Sequence, residues 1–250
     1  MVDTHCHIHE KNYALDVNEV ILNANDCEVT KLICVGTTAE DSKNAIEFAS
    51  KRSNIWASIG LHPHDSKIGH SAFSDLQKLV KNDKIVAIGE CGLDYFYNNS
   101  PKQDQIKALE FQIDLALNNN LPIIFHVRNA FDDFWPLFDN FKGISGVIHS
   151  FTATTKDLDN ALNRGLYIGL NGIMTFSKDQ SQLDAAKAIP LDKLVLETDS
   201  PFLSPSPLRG KVNQPSSIKI IAEFLSNLRG ESFDKLAYQT TANSEHLFGI

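Results

Sequence analysis

Six residues of the types that bind metal ions follow short apolar runs along this chain. His5 and His7 are separated by one residue, a spacing that brings two side chains to the same side of a β-strand. A histidine pair of this kind is also common on protein surfaces, and a lone buried histidine is more often hydrogen-bonded in the core. Six ligand-type residues after five apolar runs instead indicate a metal site, formed by His5, His7, Glu90, His126, His149 and Asp199.

The six candidate ligands combine imidazole and carboxylate groups without a thiolate. Such a set suits zinc or manganese, and its carboxylate positions also accept magnesium. Six ligands are too many for one tetrahedral ion and are typical of two divalent cations that share a bridging carboxylate, about 3.5–4 Å apart. We expect Glu90 to be the bridge. Asp199 is the expected base, a ligand that orients the attacking water and takes its proton.

The runs before these residues resemble buried parallel strands, and each begins a strand–helix repeat. Eight such repeats without a Pro/Gly/Ser-rich break predict a single (β/α)₈ barrel spanning residues 1–250. A doubly wound open sheet is the alternative, but no G-x-G-x-x-G turn follows the first run. The predicted strands are Met1–His5, Lys31–Gly36, Ile55–His62, Ile85–Glu90, Leu121–His126, Gly146–His149, Gly165–Leu170 and Leu194–Asp199.

Composition limits the classes of function. The chain has 250 residues, 42% of them hydrophobic, and a formal net charge of −8, so no broad basic face is expected to draw it onto nucleic acid. A nuclease stays possible, because bound divalent ions create a local positive site on an acidic protein. Four cysteines without metal-site spacing, no signal peptide and no long apolar run predict a cytoplasmic protein with reduced thiols that does not enter a membrane.

Taken together, the motifs resemble the TatD family of metal-dependent deoxyribonucleases, which belongs to the amidohydrolase superfamily of (β/α)₈ barrels. The resemblance covers essentially the whole chain. It rests on Asp3-x-His5-x-His7, Gly60-Leu61-His62-Pro63-His64, Gly89-Glu90-x-Gly92-Leu93-Asp94-Tyr95, His126-x-Arg128, His149-Ser150-Phe151 and Glu197-Thr198-Asp199-x-Pro201-x-Leu203.

The resemblance implies hydrolysis of DNA phosphodiesters by a water that two metal ions activate, with exonuclease action from the 3′ end of single-stranded DNA. It assigns the ligand roles to the same six residues. It also implies that Glu197 is an acidic position around a possible additional metal.

Two departures from the family pattern stand out. Thr152 and Ala153 replace a glycine-containing turn after the sixth strand, which we expect to alter only that turn. Val212 stands where the family often has another cation, so one possible phosphate contact is missing.

Four further residues are candidates for substrate binding. Arg128 follows His126 by two residues and could pair with a phosphate oxygen, although a salt bridge at the barrel rim is the alternative. His62 and His64 flank Pro63; one of them could hydrogen-bond a phosphate, or both could support the metal ligands or the structure. Arg209 and Lys211 could grip the nucleic-acid backbone or be solvated loop charges. Tyr95 and Phe202 could stack on bases, but packing at the rim is the more common role.

Two other functions remain open from the sequence. The same metal site could polarise a carbonyl, as in a carbonyl hydrolase such as an aminoacyl-tRNA deacylase. A scaffold that binds metal without catalysis is the third possibility, although a full ligand set would have little use there. DNA is the expected partner, and a monomer or weak oligomer is the expected state.

Overall fold

Eight parallel strands form one sheet in the order in which they occur along the chain. This computed structural model describes all 250 residues. A helix follows each strand, so the fold is the predicted (β/α)₈ barrel. The strands β1 to β8 cover Val2–Cys6, Lys31–Val35, Ile55–Ile59, Ile85–Asp94, Ile123–Arg128, Gly146–Ile148, Tyr167–Leu170 and Leu194–Leu196.

Nine α-helices accompany the strands, and the last two both follow β8. Several begin at a side chain that accepts hydrogen bonds from the first turn, such as Asp16 before α1 and Thr38 before α2. None of the helices has the length and apolar character needed to cross a membrane. The helices α1 to α9 cover Val17–Asp26, Ala39–Ser50, His70–Leu79, Lys102–Asn119, Phe131–Asp139, Thr155–Asn163, Gln180–Ala188, Ile218–Arg229 and Phe233–Phe248.

All eight predicted strands are present, but β1, β4 and β5 extend beyond their predicted ends. In contrast, β3 and β8 end three residues early, so His62 and Asp199 lie beyond their strands. β4 continues to Asp94 and β5 to Arg128, so Glu90 and His126 lie inside strands rather than at their last residues. A helix was expected after each strand, but no range was predicted for α6, whose buried residues are Leu158 and Ala161.

The chain divides into two compact units, Met1–Cys34 with Ser150–Ile250, and Val35–His149. In the first unit, α8 buries Ile218, Ile221, Ala222 and Leu225. In the second unit, the ring of Phe125 on β5 packs edge to face against Phe134 of α5, with ring centroids 5.2 Å apart. The single domain expected over residues 1–250 stays a prediction.

Irregular strand pairing occurs next to two of the candidate ligands. The four residues of β1 from Asp3 to Cys6 pair with only three residues of β2, Leu32 to Cys34, and His5 lies in this bulge. Likewise, the pairing of β4 with β5 shifts between Ile88 and Cys91, around Glu90. A bulge changes the direction in which a side chain projects from the sheet. The pairing therefore departs from regular β geometry where these ligand-type residues lie.

A glycine is required where β4 approaches β5. Gly92 has a φ of +154°, and a Cβ atom added there would overlap the backbone carbonyl oxygen of His126. Any larger residue would push the two strands apart beside Glu90 and His126. Gly92 thus helps to fix the spacing of these two side chains.

Candidate metal centre

Two imidazoles and a carboxylate converge in the first unit, in what we call the first cluster: His5, His7 and Asp199. The Nε2 atoms of His5 and His7 are 3.2 Å apart. The Oδ1 atom of Asp199 lies 3.6 Å from His5 Nε2 and 3.3 Å from His7 Nε2. Both histidines are buried, whereas Asp199 is partly exposed. The three predicted ligands of this unit therefore lie together.

Backbone hydrogen bonds join β1 to the segment after β8 and hold the first cluster together. The amide of Asp199 donates to the carbonyl of His5 at 2.8 Å, and the amide of His7 donates to the carbonyl of Ser200 at 2.7 Å. Cys6 forms a parallel bridge with Ser200 between these two bonds. Consequently, the backbone of each histidine is fixed against the segment that carries Asp199.

Asp199 has a left-handed backbone conformation, with a φ of +57°. Residues other than glycine adopt this conformation only at a cost of about 1–3 kcal/mol, so the surroundings must hold it. The amide nitrogen of the buried Asn213 side chain does so by donating to the carbonyls of Thr198 and Phe202, at 2.9 and 2.6 Å. Asn213 lies in an irregular loop, where nothing in the sequence indicated this role.

Asp3 also holds the segment around Asp199, through hydrogen bonds with Thr198. Its buried carboxylate accepts hydrogen bonds from the backbone amide and the hydroxyl of Thr198, at 2.9 and 2.6 Å. Burial raises the pKa of Asp3 to about 8 despite these hydrogen bonds, which favour the charged form. Asp3 belongs to a motif quoted above, but its contact with Thr198 crosses most of the sequence and could not be predicted from spacing.

The second cluster, in the second unit, surrounds the Glu90 carboxylate with imidazoles. His126 Nδ1 lies 2.6 Å from Glu90 Oε1, His62 Nε2 lies 3.5 Å away and His149 Nε2 lies 3.7 Å away. Glu90 is 4% exposed. The pKa of His62 is lowered because burial outweighs the attraction of Glu90. His62, predicted to contact substrate, thus lies among the candidate ligands, where it could serve either role.

Asp94 is a site residue to which the sequence analysis gave no role. It is fully buried, and its Oδ2 atom lies 3.1 Å from the Nε2 atoms of both His126 and His64. Burial alone would lower the pKa of His126, but the hydrogen bonds with Asp94 and Glu90 outweigh it and raise the pKa to about 9. Burial would raise the pKa of Asp94, but its hydrogen bonds with His126, the Tyr97 amide and His64 hold this pKa below its ordinary value. The only sequence signal was its place in the Gly92-Leu93-Asp94-Tyr95 motif.

The donor atoms of both clusters suit divalent cations. Two ligands bound tetrahedrally to one ion at 2.0–2.1 Å lie roughly 3.4 Å apart. The separations of 3.2, 3.3 and 3.6 Å in the first cluster match this spacing. In the second cluster, His62, Glu90 and His126 offer ligand atoms within 4.8 Å of one another. Asp94 also gives His126 the carboxylate partner that orients most metal-binding histidines.

Glu197 is buried in the first unit and lies close to a glycine. Its Oε1 atom accepts a hydrogen bond from the amide of Ser150 at 2.6 Å. The side-chain amide of Asn171 lies 3.4 Å from the same oxygen. A Cβ atom on Gly169 would overlap Oε2 of Glu197 and lie 2.8 Å from its Cδ atom. Only glycine at this position leaves room for the carboxylate; its role beside an additional metal stays a prediction.

The predicted cationic substrate contacts differ in their surroundings. The Arg128 guanidinium is exposed and rests on aromatic rings, with its Cζ atom 4.1 Å from the ring centre of Phe96. Arg209 lies over the ring of Phe176 at 3.7 Å and donates to the carbonyl of Ser204 at 2.9 Å, so part of its hydrogen-bonding capacity serves the loop. Lys211 is exposed. The roles of Arg128, Arg209 and Lys211 in substrate binding stay predictions.

Of the two aromatic residues considered from the sequence, one is part of the rim packing. The hydroxyl of Tyr95 donates to Asp133 at 2.9 Å, and the Lys102 ammonium lies 3.8 Å from its ring centre. Phe202 is 54% exposed, and its ring centroid lies 6.2 Å from that of His7. Only Phe202 thus retains an open ring next to a candidate ligand.

Comparison with known proteins relates nearly the whole chain to one family. The family model described as "TatD related DNase" matches residues 2–249. The metal-dependent hydrolase YabD of Bacillus subtilis is 35% identical over 253 residues, covering 100% of this chain and 99% of YabD. The 3'-5' ssDNA/RNA exonuclease TatD of Escherichia coli is 33% identical over 258 residues, covering 100% of this chain and 99% of TatD.

A solved structure agrees with the sequence relatives. YjjV, a TatD homolog from Escherichia coli, superposes with a TM-score of 0.94 at 27% sequence identity, covering 100% of this chain and 98% of that one. The relatives are metal-dependent hydrolases, and the protein is accordingly an enzyme that hydrolyses ester bonds. The resemblance inferred from the motifs is confirmed: the chain belongs to the TatD-related DNase family.

Proposed function

We propose that this enzyme is a deoxyribonuclease that removes nucleotides from the 3′ ends of single-stranded DNA with two divalent cations. The observation that supports the proposal is the presence of two imidazole–carboxylate clusters. His7 Nε2 lies 3.3 Å from Asp199, and the Nε2 atoms of His62 and His149 lie 3.5 and 3.7 Å from Glu90. A relative that matches this chain over 99% of its own length is named a 3'-5' ssDNA/RNA exonuclease.

Divalent cations, when bound, supply Lewis acidity that lowers the pKa of water and offsets the charge that develops on a phosphoryl group. In this proposal, His5, His7 and Asp199 hold one cation. Glu90, His126 and His149 would hold the other, with Glu90 as the ligand predicted from the sequence to be shared.

The protein groups then have separate tasks. Asp199 is partly exposed, unlike the buried His5 and His7, so its carboxylate can accept a hydrogen bond from the attacking water and take its proton. Asp94 holds the ring of His126 in place through Nε2, at 3.1 Å. Arg128 offers a planar fork of donors to the non-bridging oxygens of a phosphate.

A labelled oligonucleotide tests the proposal. Single-stranded DNA with a 5′ label should be shortened stepwise from its 3′ end when magnesium or manganese is present, and a chelator should stop the reaction. An Asp199→Asn variant, which keeps the shape but removes the base, is the control for contaminating nucleases. Cleavage that persists in the chelator, or equally in Asp199→Asn, would refute the metal-dependent mechanism.

The same preparation should be assayed on two further substrates. An RNA oligonucleotide of the same sequence tests whether the sugar matters, because the proposal names DNA. An aminoacyl ester tests the carbonyl chemistry that the sequence left open. Hydrolysis of the ester without cleavage of either oligonucleotide would replace the nuclease proposal with the carbonyl alternative.

A further inference from the structure

The loop between β4 and α4 presents two large aromatic side chains to solvent. Phe96 is 54% exposed and Tyr97 is 52% exposed, although they lie only two and three residues after the fully buried Asp94. Their rings meet edge to face, with centroids 4.8 Å apart and planes at 87°. Contact of two adjacent aromatic rings with water is energetically unfavourable, so a cluster of this kind indicates a ligand-binding surface.

A cation completes this surface. The guanidinium carbon of Arg128 lies 4.1 Å from the ring centre of Phe96 and 4.8 Å from that of Tyr97. Arg128 follows the candidate ligand His126 by two residues on β5. Contact with both rings limits the motion of its side chain and orients the guanidinium plane. We call Phe96, Tyr97 and Arg128 the aromatic platform.

The platform is attached to the second cluster through one carboxylate. Asp94 Oδ1 accepts hydrogen bonds from the backbone amides of Phe96 and Tyr97, at 2.9 and 3.1 Å. Its other oxygen, Oδ2, lies 3.1 Å from the imidazoles of His126 and His64. The position of the rings is therefore set by the same side chain that orients a candidate metal ligand.

The far end of the loop is fixed as well. The hydroxyl of Ser100 donates to the carbonyl of His64 at 2.7 Å, and its backbone carbonyl accepts a hydrogen bond from Gln105 at 2.9 Å. Both ends of the loop are thus tied to buried groups, and the exposed rings between them are held before any ligand arrives. Preorganisation of this kind reduces the entropy lost on binding.

We propose that the aromatic platform binds a terminal nucleotide of a single strand, with its base against Phe96 or Tyr97 and its phosphate on Arg128. The proposal rests on the nuclease function above and adds the way in which substrate is selected. Every base has a π-face that can stack on a ring, so this mode of binding tolerates any sequence. In a duplex that face is covered by the neighbouring base pair, so the platform favours unpaired ends.

An abasic substrate can separate stacking from all other contacts. We would compare single-stranded oligonucleotides that carry one tetrahydrofuran abasic nucleotide at the last, second or third position from the 3′ end with the unmodified strand. The enzymes are the wild type, Phe96→Ala/Tyr97→Ala, and Phe96→Tyr/Tyr97→Phe, which keeps both rings. Tyr238→Ala removes a 76% exposed ring on α9 and is the matched control.

We expect KM to stop depending on the presence of the base in one variant only, Phe96→Ala/Tyr97→Ala. For the wild type, the ring-preserving variant and Tyr238→Ala, one of the abasic positions should raise KM roughly fivefold to 150-fold, the usual range for one base stacked on an aromatic ring. Phe96→Ala/Tyr97→Ala should raise KM for the unmodified strand by a similar factor. The abasic nucleotide should then add nothing further, while metal content stays at the wild-type level.

The outcomes separate the platform from the nuclease function. If the wild type cleaves all strands with equal KM, or if the double alanine variant still distinguishes abasic from normal strands, the platform is wrong and the nuclease proposal stands. If the wild type cleaves no strand at all, both proposals fail. A loss of bound metal in the double alanine variant would show that the rings support the metal centre instead, and would also overturn the platform.

Discussion

Substitution of Asn213 should reveal how much of the metal centre depends on the backbone at Asp199. In Asn213→Ala the side-chain amide that donates to the carbonyls of Thr198 and Phe202 is lost. These two carbonyls belong to the residue before Asp199 and to the third residue after it. The substitution therefore releases both sides of a segment that is held at a φ of +57°.

The cost in stability follows from the two unpaired carbonyls. A buried group left without its hydrogen-bond partner costs about 1–3 kcal/mol. The Thr198 carbonyl is fully buried and that of Phe202 is partly solvated, so we expect a total of about 2–4 kcal/mol. For a chain of this size, 1 kcal/mol shifts Tm by about 2–4 °C, so Tm should fall by roughly 4–16 °C.

The cost in activity should be larger than this loss of stability explains. Without Asn213, Asp199 can relax toward an ordinary backbone conformation and carry its carboxylate away from His5 and His7. Displacement of a catalytic group by about 1 Å can cost about a hundredfold in rate. We therefore expect kcat/KM to fall by about that factor, with weaker binding of metal, while the protein stays folded at 25 °C.

The chain offers a matched control for this variant. The side-chain amide of the buried Asn243 also donates to two backbone carbonyls, those of Leu191 and Leu194, at 2.8 and 2.7 Å. The carbonyls of Leu191 and Leu194 lie before and at the start of β8, whereas those bound by Asn213 lie beyond its end. Asn243→Ala should lower Tm by a similar amount and leave metal content and kcat/KM unchanged.

Calorimetry, metal analysis and steady-state kinetics on the same preparations would decide the question. Normal metal content and normal kcat/KM in Asn213→Ala, with a lowered Tm, would show that Asp199 does not depend on this anchor. An equal loss of metal in Asn243→Ala would show that stability alone controls metal binding, and the argument from backbone conformation would be refuted.

Three further substitutions test single residues of the centre. Glu90→Gln should lose at least one metal and slow single-turnover cleavage on the order of 10³-fold, because a neutral amide cannot bridge two cations; full occupancy with near-normal cleavage would exclude the bridge. Arg128→Ala should raise KM with metal content unchanged, and Arg128→Lys should recover this only in part; metal loss in step with activity would make Arg128 structural. Gly169→Ala should lower the free energy of unfolding by about 1–3 kcal/mol, because its Cβ overlaps the Glu197 carboxylate. That penalty should disappear in a Glu197→Ala background, and a penalty that persists there would mean that the strain lies elsewhere.

The sequence predicted which ligand-type residues converge better than it predicted the backbone geometry that brings them together. His5 and His7 do converge, but His5 lies in a bulge and His7 lies beyond the end of β1, so regular strand alternation is not the cause. The convergence depends on pairing with the segment around Ser200, nearly two hundred residues away. The types and order of the ligand residues can be read from the sequence even where the strand is irregular. The local backbone conformation of these residues cannot be read in the same way.

The supporting residues were harder to predict, because their roles come from contacts that the sequence does not encode locally. Asn213 is one polar residue in a loop of many, and only the fold brings its amide to the carbonyl of Thr198. Tyr95 was a candidate for stacking, but its hydroxyl is held by Asp133, and the two following rings are exposed instead. Which of three consecutive aromatic residues faces solvent depends on the turn that Asp94 stabilises.

The distribution of charge explains how a protein with a negative net charge could bind nucleic acid at the proposed metal centre. The chain carries a formal net charge of −8, so a phosphate chain is repelled by the protein as a whole. Among the proposed ligands, Asp199 and Glu90 contribute two negative charges, and two divalent cations would contribute four positive ones. The proposed centre would therefore attract phosphate only when it is loaded. Without metal, only the side-chain cations proposed to contact substrate, such as Arg128, would oppose the global repulsion. In the proposed nuclease, metal removal should then weaken binding of the oligonucleotide as well as its cleavage, and the weakening should grow as the ionic strength falls because screening of the −8 charge falls with it.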